Sequence, residues 1–509
     1  MEDFNNLLCS SFFLLLLSFP VVVVFFFFYI IKKKKIRCSS SSNNKQGSVV
    51  NFYEIVKNGH RFLDWSTERL QASATHTVTL PGIVLTTSPS NVEHVIKTNF
   101  RNYPKGPRSI ATLEDLLGRG IFNSDGDHWR TQRKLASPGF NTKTIRTFLL
   151  DAVRSEVADR LLPFLSAAGA ESAVVDLQDV LERFAFDNVC KVAFDVDPGR
   201  LSSRGGSGEG DAFACSYEAA TAIVMGRFKT PRLLWSLRRL LGLGRERALK
   251  RELAVLKDFA AKVVNEKRRD HAIGTGGGRD LLSMVMAEGD FSDEFLRDLV
   301  LNYVLAGRDT TSSAMSWFFW LVSSRPEVER RIVGETESVR ARHGSSAGSM
   351  FTLEELREMS YLHAALSEAM RLYPPVALET RYCAEGDVLP DGTEVGKGVI
   401  VMHSPYAMGR MESLWGEDCG EFRPERWLDP DGVFQPRSPY EYPVFHGGPR
   451  MCLGKDMAYI QMKAVVASVM ERFVVDVVVE EEEREREPEP ELVVVLRMKK
   501  GLPVRIIAR

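Results

Sequence analysis

The sequence predicts a mainly α-helical domain with small β-sheets, preceded by one N-terminal transmembrane helix. Three observations lead there. Residues 7–31 are almost uninterruptedly apolar, and Lys32, Lys33, Lys34, Lys35 and Arg37 follow them. Helical periodicity dominates from 125 to 342 and again up to Leu372, whereas β-like alternation is confined to short runs. Near the far end, Phe445-His446-Gly447-Gly448-Pro449-Arg450-Met451-Cys452-Leu453-Gly454 places a lone cysteine between a glycine-rich loop and a further helical run.

The apolar run comes first. Its 25 residues reach about 37 Å as a helix, enough to cross a hydrocarbon core of about 30 Å with some tilt. Glu2 and Asp3 precede it and the lysines follow, the reverse of a cleaved signal peptide. The positive-inside rule then puts everything after the lysines in the cytosol. Residues 1–38 are assigned to the anchor, 39–50 to a polar linker of low complexity, and 51–509 to a single catalytic domain. The linker lacks a proline-rich hinge, since the first proline after the anchor is Pro81.

Within that domain a short helix gives way to β-like runs at 75–80 and 83–87. The helical stretch from 125 is interrupted by glycine-rich loops at 205–210 and 274–278, and a further loop at 344–349 precedes the helix ending at Leu372. Pro374 and Pro375 stop it. Short β-runs follow around 395–402, then the cysteine loop and a helix over 455–471. The acidic run 480–491 reads as a solvated loop, and hairpin-like segments at 492–496 and 502–507 close the chain. No internal repeat is visible.

Composition narrows the function. A chain of 509 residues with 44% hydrophobic content has ample material for a core, and its formal net charge of −1 gives no support to nucleic-acid binding. The cysteines at 9, 38, 190, 215, 383, 419 and 452 are odd in number, scattered, and never arranged Cys-x-x-Cys. That argues against a disulfide framework or a zinc site and for a reducing compartment.

Cys452 is the centre of the reading. A thiolate after a glycine-rich loop and before a helix is surrounded by backbone N–H groups at the positive helix end, which favours the charged sulfur. Such a sulfur can serve as the axial ligand of a haem iron. Phe445 then covers the ring near the sulfur, Arg450 reaches a haem propionate, and Gly448 and Gly454 let the backbone come close. The whole pattern, Phe-x-x-Gly-x-Arg-x-Cys-x-Gly, resembles the cytochrome P450 family of haem-thiolate monooxygenases. The resemblance implies that fold over 51–509, haem b (iron protoporphyrin IX) as cofactor, and Cys452 as the metal ligand.

The long helix fits the same resemblance. Ser292 is its expected N-cap, with Asp293 and Glu294 in the first turn. In its middle lies Ala306-Gly307-Arg308-Asp309-Thr310-Thr311. Ala306 and Gly307 are small enough for a flat cofactor or dioxygen to approach the backbone. Asp309 and Thr310 put an acid beside a hydroxyl, the pair needed to hand on protons, and a mid-helix hydroxyl can open the preceding turn. By the resemblance, Asp309 and Thr310 are catalytic, Trp129 and Arg133 (i, i+4) bind the propionates, and Arg381 is a further propionate partner. Glu368, Arg371 and Arg426 match the family's structural Glu-Arg-Arg network, which fixes the cysteine loop.

The implied reaction inserts one oxygen atom into an unactivated C–H bond. It uses O2 and electrons from NADPH, which arrive through a separate NADPH-cytochrome P450 reductase because the chain has no dinucleotide-binding glycine fingerprint in a strand-to-helix context. Residues 91–100, 116–126, 306–311, 317–320 and 406–411 resemble the plant fatty-acid omega-hydroxylase branch. That branch implies attack at the terminal or near-terminal carbon of a fatty acid, or oxidation of jasmonoyl-isoleucine-type conjugates. The loop 109–117 and the segment 376–380 are expected to line the pocket; Glu379-Thr380 departs from the branch's Asp-Ser/Thr-Lys pattern. A haem-thiolate hydroperoxide isomerase and a non-catalytic haem or lipid binder are the readings from other classes. The expected location is the endoplasmic reticulum membrane, single-pass, with the catalytic domain cytosolic. The basic, amphipathic segment 231–241 suits a headgroup layer or a solvated helix face.

Overall fold

The computed structural model describes residues 52–202, 208–273, 278–478 and 487–509. The predicted anchor and the linker up to residue 50 lie outside the described residues. Among those described, no helix is long and apolar enough to cross a membrane.

Helices α1 (Gly126–Asn141), α2 (Leu177–Phe194), α3 (Glu209–Gly226) and α4 (Arg245–Ala272) build much of the first half. The long helix is continuous but not uniform. It runs as α5 (Asp293–Val304), a π-helical turn (Leu305–Asp309) and α6 (Thr310–Ser323). Ser292 starts it as expected, its hydroxyl accepting from the Phe295 N–H at 3.2 Å. Side chains from Thr311 to Phe319 are all buried, so α6 runs through the interior, packed against α2, α7 (Ser360–Leu372) and α8 (Lys455–Arg472). A helix buried all round shows little amphipathicity, which is why its periodicity alone does not say which face carries the site.

A four-stranded sheet flanks the helices. Thr77–Leu80 and Ile83–Thr86 form a hairpin, Ile400–His403 pairs parallel to the second strand, and Glu379–Tyr382 pairs antiparallel to Ile400–His403. The hairpin turns through Pro81 and Gly82; Gly82 at φ 77° supplies the positive φ that a type II turn needs after proline. At the other end the expected closing hairpins resolve differently. Pro490–Leu492 pairs with Leu496–Met498, but Pro503–Ala508 joins Phe473–Val477 and Val175–Asp176 in a separate sheet. The Trp317 indole and the Ser313 hydroxyl both donate to the Leu496 carbonyl, pinning that sheet region to α6.

One further expectation is corrected, and one segment gains detail. Residues 109–117 are not a loop but lie in the helix Pro107–Leu117, which starts at a proline in its first turn and ends at Gly118, φ 55°. The segment Arg232–Leu240 is a helix whose apolar side faces outward: Leu233 and Leu240 are each 82% exposed, and only Trp235 is buried. An ordinary solvated helix hides that side.

Candidate active site

The cysteine loop is folded by its own backbone. The Cys452 N–H donates to the Phe445 carbonyl at 2.8 Å, closing the turn. Gly448 has φ 61°, and a Cβ there would lie 2.2 Å from the Ile96 carbonyl oxygen, so glycine is required. Gly454 differs: its φ is −89°, and a Cβ would meet Phe140 at 3.7 Å and the Cys452 sulfur at 3.9 Å, ordinary contacts. The chain itself does not demand glycine there. Phe445 packs on Tyr459, 5.3 Å between centroids. Cys452 is exposed, on the loop just before α8. Burial pushes its thiol above the usual range, while the Gly454 N–H, Arg133 and Lys455 oppose that shift. A coordinated metal would ionise such a thiol outright.

On the long helix the π turn carries the acid. The Asp309 carboxylate is held by the Tyr217 hydroxyl, donating to Oδ2 at 3.1 Å, and by Arg308 Nη1, 3.3 Å from Oδ1. Thr310 donates to the Ala306 carbonyl at 2.7 Å and Thr311 to Gly307 at 2.7 Å. Asp309 and Thr310 are thus chain neighbours with separate hydrogen-bond partners. Burial raises the Asp309 carboxyl above the ordinary aspartate range; Arg308 and Tyr217 pull it back. Gly307 serves packing: a Cβ would sit 2.4 Å from Val189 Cγ2 of α2, so its smallness admits a neighbouring helix. Ala306 is part-exposed on the same turn.

The expected propionate partners gather around a buried charge cluster. Trp129 is buried on α1 beneath the Arg450 guanidinium, 4.4 Å from its ring centroid. Arg133, one turn on, has no ion pair among the described residues. Arg450 Nη2 donates to Asp125 Oδ1 at 2.7 Å and to the Ser124 carbonyl at 2.8 Å, leaving Nε without a partner. Arg381 is 2% exposed, pairs with Glu379, and likewise has an unpartnered Nε. Glu379 also accepts from Lys105 Nζ at 2.7 Å and His446 Nε2 at 3.0 Å, so it ties the cysteine loop to the sheet. Its carboxyl lies well below the usual range because Arg381, Lys105 and His446 outweigh its burial. Burial lowers Lys105 to about 8 and Arg450 to about 10, with neighbouring guanidiniums adding to both shifts. Four cations (Lys105, Arg133, Arg381, Arg450) meet two carboxylates (Asp125, Glu379), which leaves two positive charges uncompensated. Excess charge around the buried Arg381–Glu379 pair is costly unless an anion joins it.

The predicted Glu-Arg-Arg network is present in the geometry. Glu368 and Arg371, both essentially inaccessible, pair through two bonds of 2.7 Å, and Arg426 Nε reaches Glu368 Oε1 at 3.1 Å. The Trp427 indole donates to Glu368 Oε2 at 2.9 Å, and its ring meets Tyr442 at 4.7 Å. Tyr442 directly precedes Pro443–Phe445, so the network supports the cysteine loop through that contact.

A family described as cytochrome P450 matches residues 47–503. The chain belongs to the cytochrome P450 family. As a cytochrome P450 it is a monooxygenase that uses haem b, dioxygen and electrons from a reductase partner to oxidise a small molecule. It is 56% identical over 461 residues to cytochrome P450 CYP94D108 of Paris polyphylla, covering 90% of this chain and 91% of that one. It is 43% identical to cytochrome P450 94A1 of Vicia sativa, with 84% and 83% covered, and 44% identical to cytochrome P450 94C1 of Arabidopsis thaliana, with 81% and 82% covered. These make it similar to the plant P450 94 group.

Sequence reading passed over several residues of this P450's site. Lys105, Asp125 and His446 gave no local signal, because their partners lie hundreds of positions away or on other elements. Glu379 was visible only as a departure from pattern. Glu182 and Tyr217 sit on the buried faces of α2 and α3, where a polar residue among apolar ones was the one available clue.

Proposed function

We propose that this cytochrome P450 hydroxylates the terminal or near-terminal carbon of fatty acids. The observation that carries this reading is its likeness to the P450 94 group along more than four-fifths of the chain. The fatty-acid activity itself comes from the branch resemblance of the segments at 91–100, 116–126 and 406–411.

The residues fit a haem. Cys452 would ligate the iron, and Trp129, Arg133, Arg381 and Arg450 would hold the propionates, whose two negative charges match the two uncompensated cations. The unpartnered Nε atoms of Arg381 and Arg450 are donors free for that purpose. When bound, the haem supplies dioxygen activation and C–H oxidation. The chain does the rest. Asp309 takes up a proton and Thr310 passes it on, after the Thr310 hydroxyl rotates from the Ala306 carbonyl. Glu379, through His446, and Glu368, through Trp427 and Tyr442, hold the cysteine loop in register.

Electrons come from NADPH through a separate flavoprotein reductase. Support comes from the open depression of about 610 Å³ lined by Arg130, Arg133, Lys134 and Pro449, a basic surface beside the cysteine loop. The protein sits on the endoplasmic reticulum membrane through residues 7–31, with its catalytic domain in the cytosol and the exposed leucines of Arg232–Leu240 in the headgroup layer.

The test is to incubate the protein with reductase, NADPH and both lauric acid and jasmonoyl-isoleucine, and to identify products by mass spectrometry. NADPH-dependent hydroxylation of lauric acid at its methyl end is expected. Turnover of the jasmonoyl conjugate alone would overturn the substrate, and rearrangement of hydroperoxides without reductase would overturn the reaction.

A further inference from the structure

Around Asp309 the chain builds a charge network that spans four elements. Arg308, 2% exposed, donates through Nη2 to Glu218 Oε1 at 2.6 Å and to Glu182 Oε2 at 3.3 Å, and through Nη1 to Asp309 at 3.3 Å. Arg497, from the strand Leu496–Met498, reaches the other Glu182 oxygen at 2.8 Å. Tyr217 of α3 lies under the Arg308 guanidinium, 5.3 Å from its ring centroid, and donates to Asp309. Glu182 is buried and the Asp309 side chain is 12% exposed, whereas the Glu218 side chain is 46% exposed.

The count of charges decides the chemistry. Three carboxylates (Glu182, Glu218, Asp309) share two guanidiniums (Arg308, Arg497), so one carboxylate is surplus. With Glu218 half-exposed to water, the crowding falls on Glu182 and Asp309, which share Arg308; carboxylates so placed take a proton above their ordinary range, and coupled groups share it. Consistent with this, burial together with Glu218 and Asp309 raises Glu182 to about 7 against the pull of Arg308 and Arg497.

We propose that Glu182 and Tyr217 are positioning residues that set the protonation of Asp309 from opposite sides. Glu182 competes for Arg308 and so leaves Asp309 able to take a proton above the ordinary aspartate range. Tyr217 donates to the ionised carboxylate and so resists that proton. This rests on the reading of Asp309 as the proton-handling acid. The groups facing the pair are Arg308 on the π turn, Glu218 on α3 and Arg497 on the strand Leu496–Met498.

The signs follow. Glu182→Gln removes the competing carboxylate, so two guanidiniums face two carboxylates and Asp309 keeps its charge to lower pH. Tyr217→Phe removes a donor to the ionised form, so Asp309 takes its proton at higher pH. The experiment uses the haem-loaded, full-length protein. The infrared band of protonated carboxyl, assigned to Asp309 by its loss in Asp309→Asn, is titrated with pH, and product formed per NADPH consumed is measured across the same range with lauric acid. Expected is a downward move of the midpoint by about one pH unit in Glu182→Gln, an upward move in Tyr217→Phe, and restoration by Glu182→Asp. Coupling follows the same shifts. If both variants keep the parent midpoint while Asp309→Asn still uncouples, the inference falls and the proposed role of Asp309 stands. If Asp309→Asn couples normally, that role falls, and the infrared midpoints alone judge the electrostatic claim. Should Glu182→Gln not fold, Glu182→Ala takes its place with the same expected downward move, and a midpoint that stays or rises in it would sink the inference.

Discussion

Replacing Glu368 by glutamine tests whether the buried network holds the cysteine loop or merely sits beside it. Five donors end on the two carboxylate oxygens. Arg371 Nη2, the Arg423 N–H and Arg426 Nε meet Oε1, while Arg371 Nε and Trp427 Nε1 meet Oε2. Glutamine keeps the shape but offers one acceptor oxygen, and its NH2 group faces donors. Breaking a buried pair by removing one partner's charge typically costs about 3–5 kcal/mol, against a whole-domain stability of about 5–15 kcal/mol. Arg371 retains carbonyl acceptors at Cys419 (2.6 Å) and Glu421 (2.9 Å), which places the expected loss near the lower end, about 3 kcal/mol. The assay is urea denaturation of the haem-loaded protein, with the reduced, carbon-monoxide-bound absorption spectrum as a second reading. The variant should show a lower midpoint with unchanged slope, and a smaller fraction with the red-shifted band of a thiolate-ligated iron. Arg423→Ala is the internal control. Its contribution to Glu368 is a backbone N–H, and its side chain pairs with Asp418 at the surface, so it should change stability by less than about 1 kcal/mol. A Glu368→Gln protein with the parent midpoint and spectrum would refute the reasoning.

Further outcomes follow from the same geometry. Cys452→Ser should remove the thiolate-type absorption and turnover together; retention of either removes Cys452 from the iron. Thr310→Ala keeps a good helix former while deleting the hydroxyl, so NADPH consumption should continue with less product per electron pair; unchanged coupling takes Thr310 out of the mechanism. His363 and His403 are held neutral, mainly by burial, with pKa values lowered to about 3. Unfolded chains bind those protons first, so stability present above about 6.5 should fall as pH drops toward 3. His363→Phe, placed between Phe434 and Tyr459, should flatten that slope in denaturant midpoints measured against pH. Protein lacking residues 7–31 should still bind anionic liposomes and lose that binding in a Leu233→Glu, Leu240→Glu double variant; equal binding by both would assign the exposed leucines elsewhere.

What the sequence made legible were features whose meaning is local. Ser292 caps the long helix because its hydroxyl is three residues from a free N–H, and Pro374-Pro375 stop α7 because proline lacks one. The cysteine loop was readable because glycine at 448 and the sulfur at 452 lie within one turn of chain. The Glu368–Arg371 pair was readable for the same reason, being one helical turn apart. Arg426 was placed only with the family pattern as a guide, since 58 residues separate it from Glu368.

What stayed hidden were charges whose partners come from elsewhere in the fold. Arg308 shows this most clearly. In the chain it stands between Gly307 and Asp309 as one more charged residue on a helix, and its usual fate there is a solvated face. In the structure it is buried, and what makes burial tolerable is Glu182, 126 positions earlier, and Glu218, 90 positions earlier. Gly307 hid its purpose in the same way, because the atom it makes room for belongs to Val189. An Arg308→Leu substitution therefore tests a long-range dependence with no local signature. It would leave three carboxylates together with one guanidinium, Arg497, and the network would need more than one proton to persist. Catalytic coupling should then fail first at high pH and recover partly on acidification. A pH-independent loss would mean that Arg308 acts through packing alone, and that the acid on the π turn is governed by something other than its shared cation.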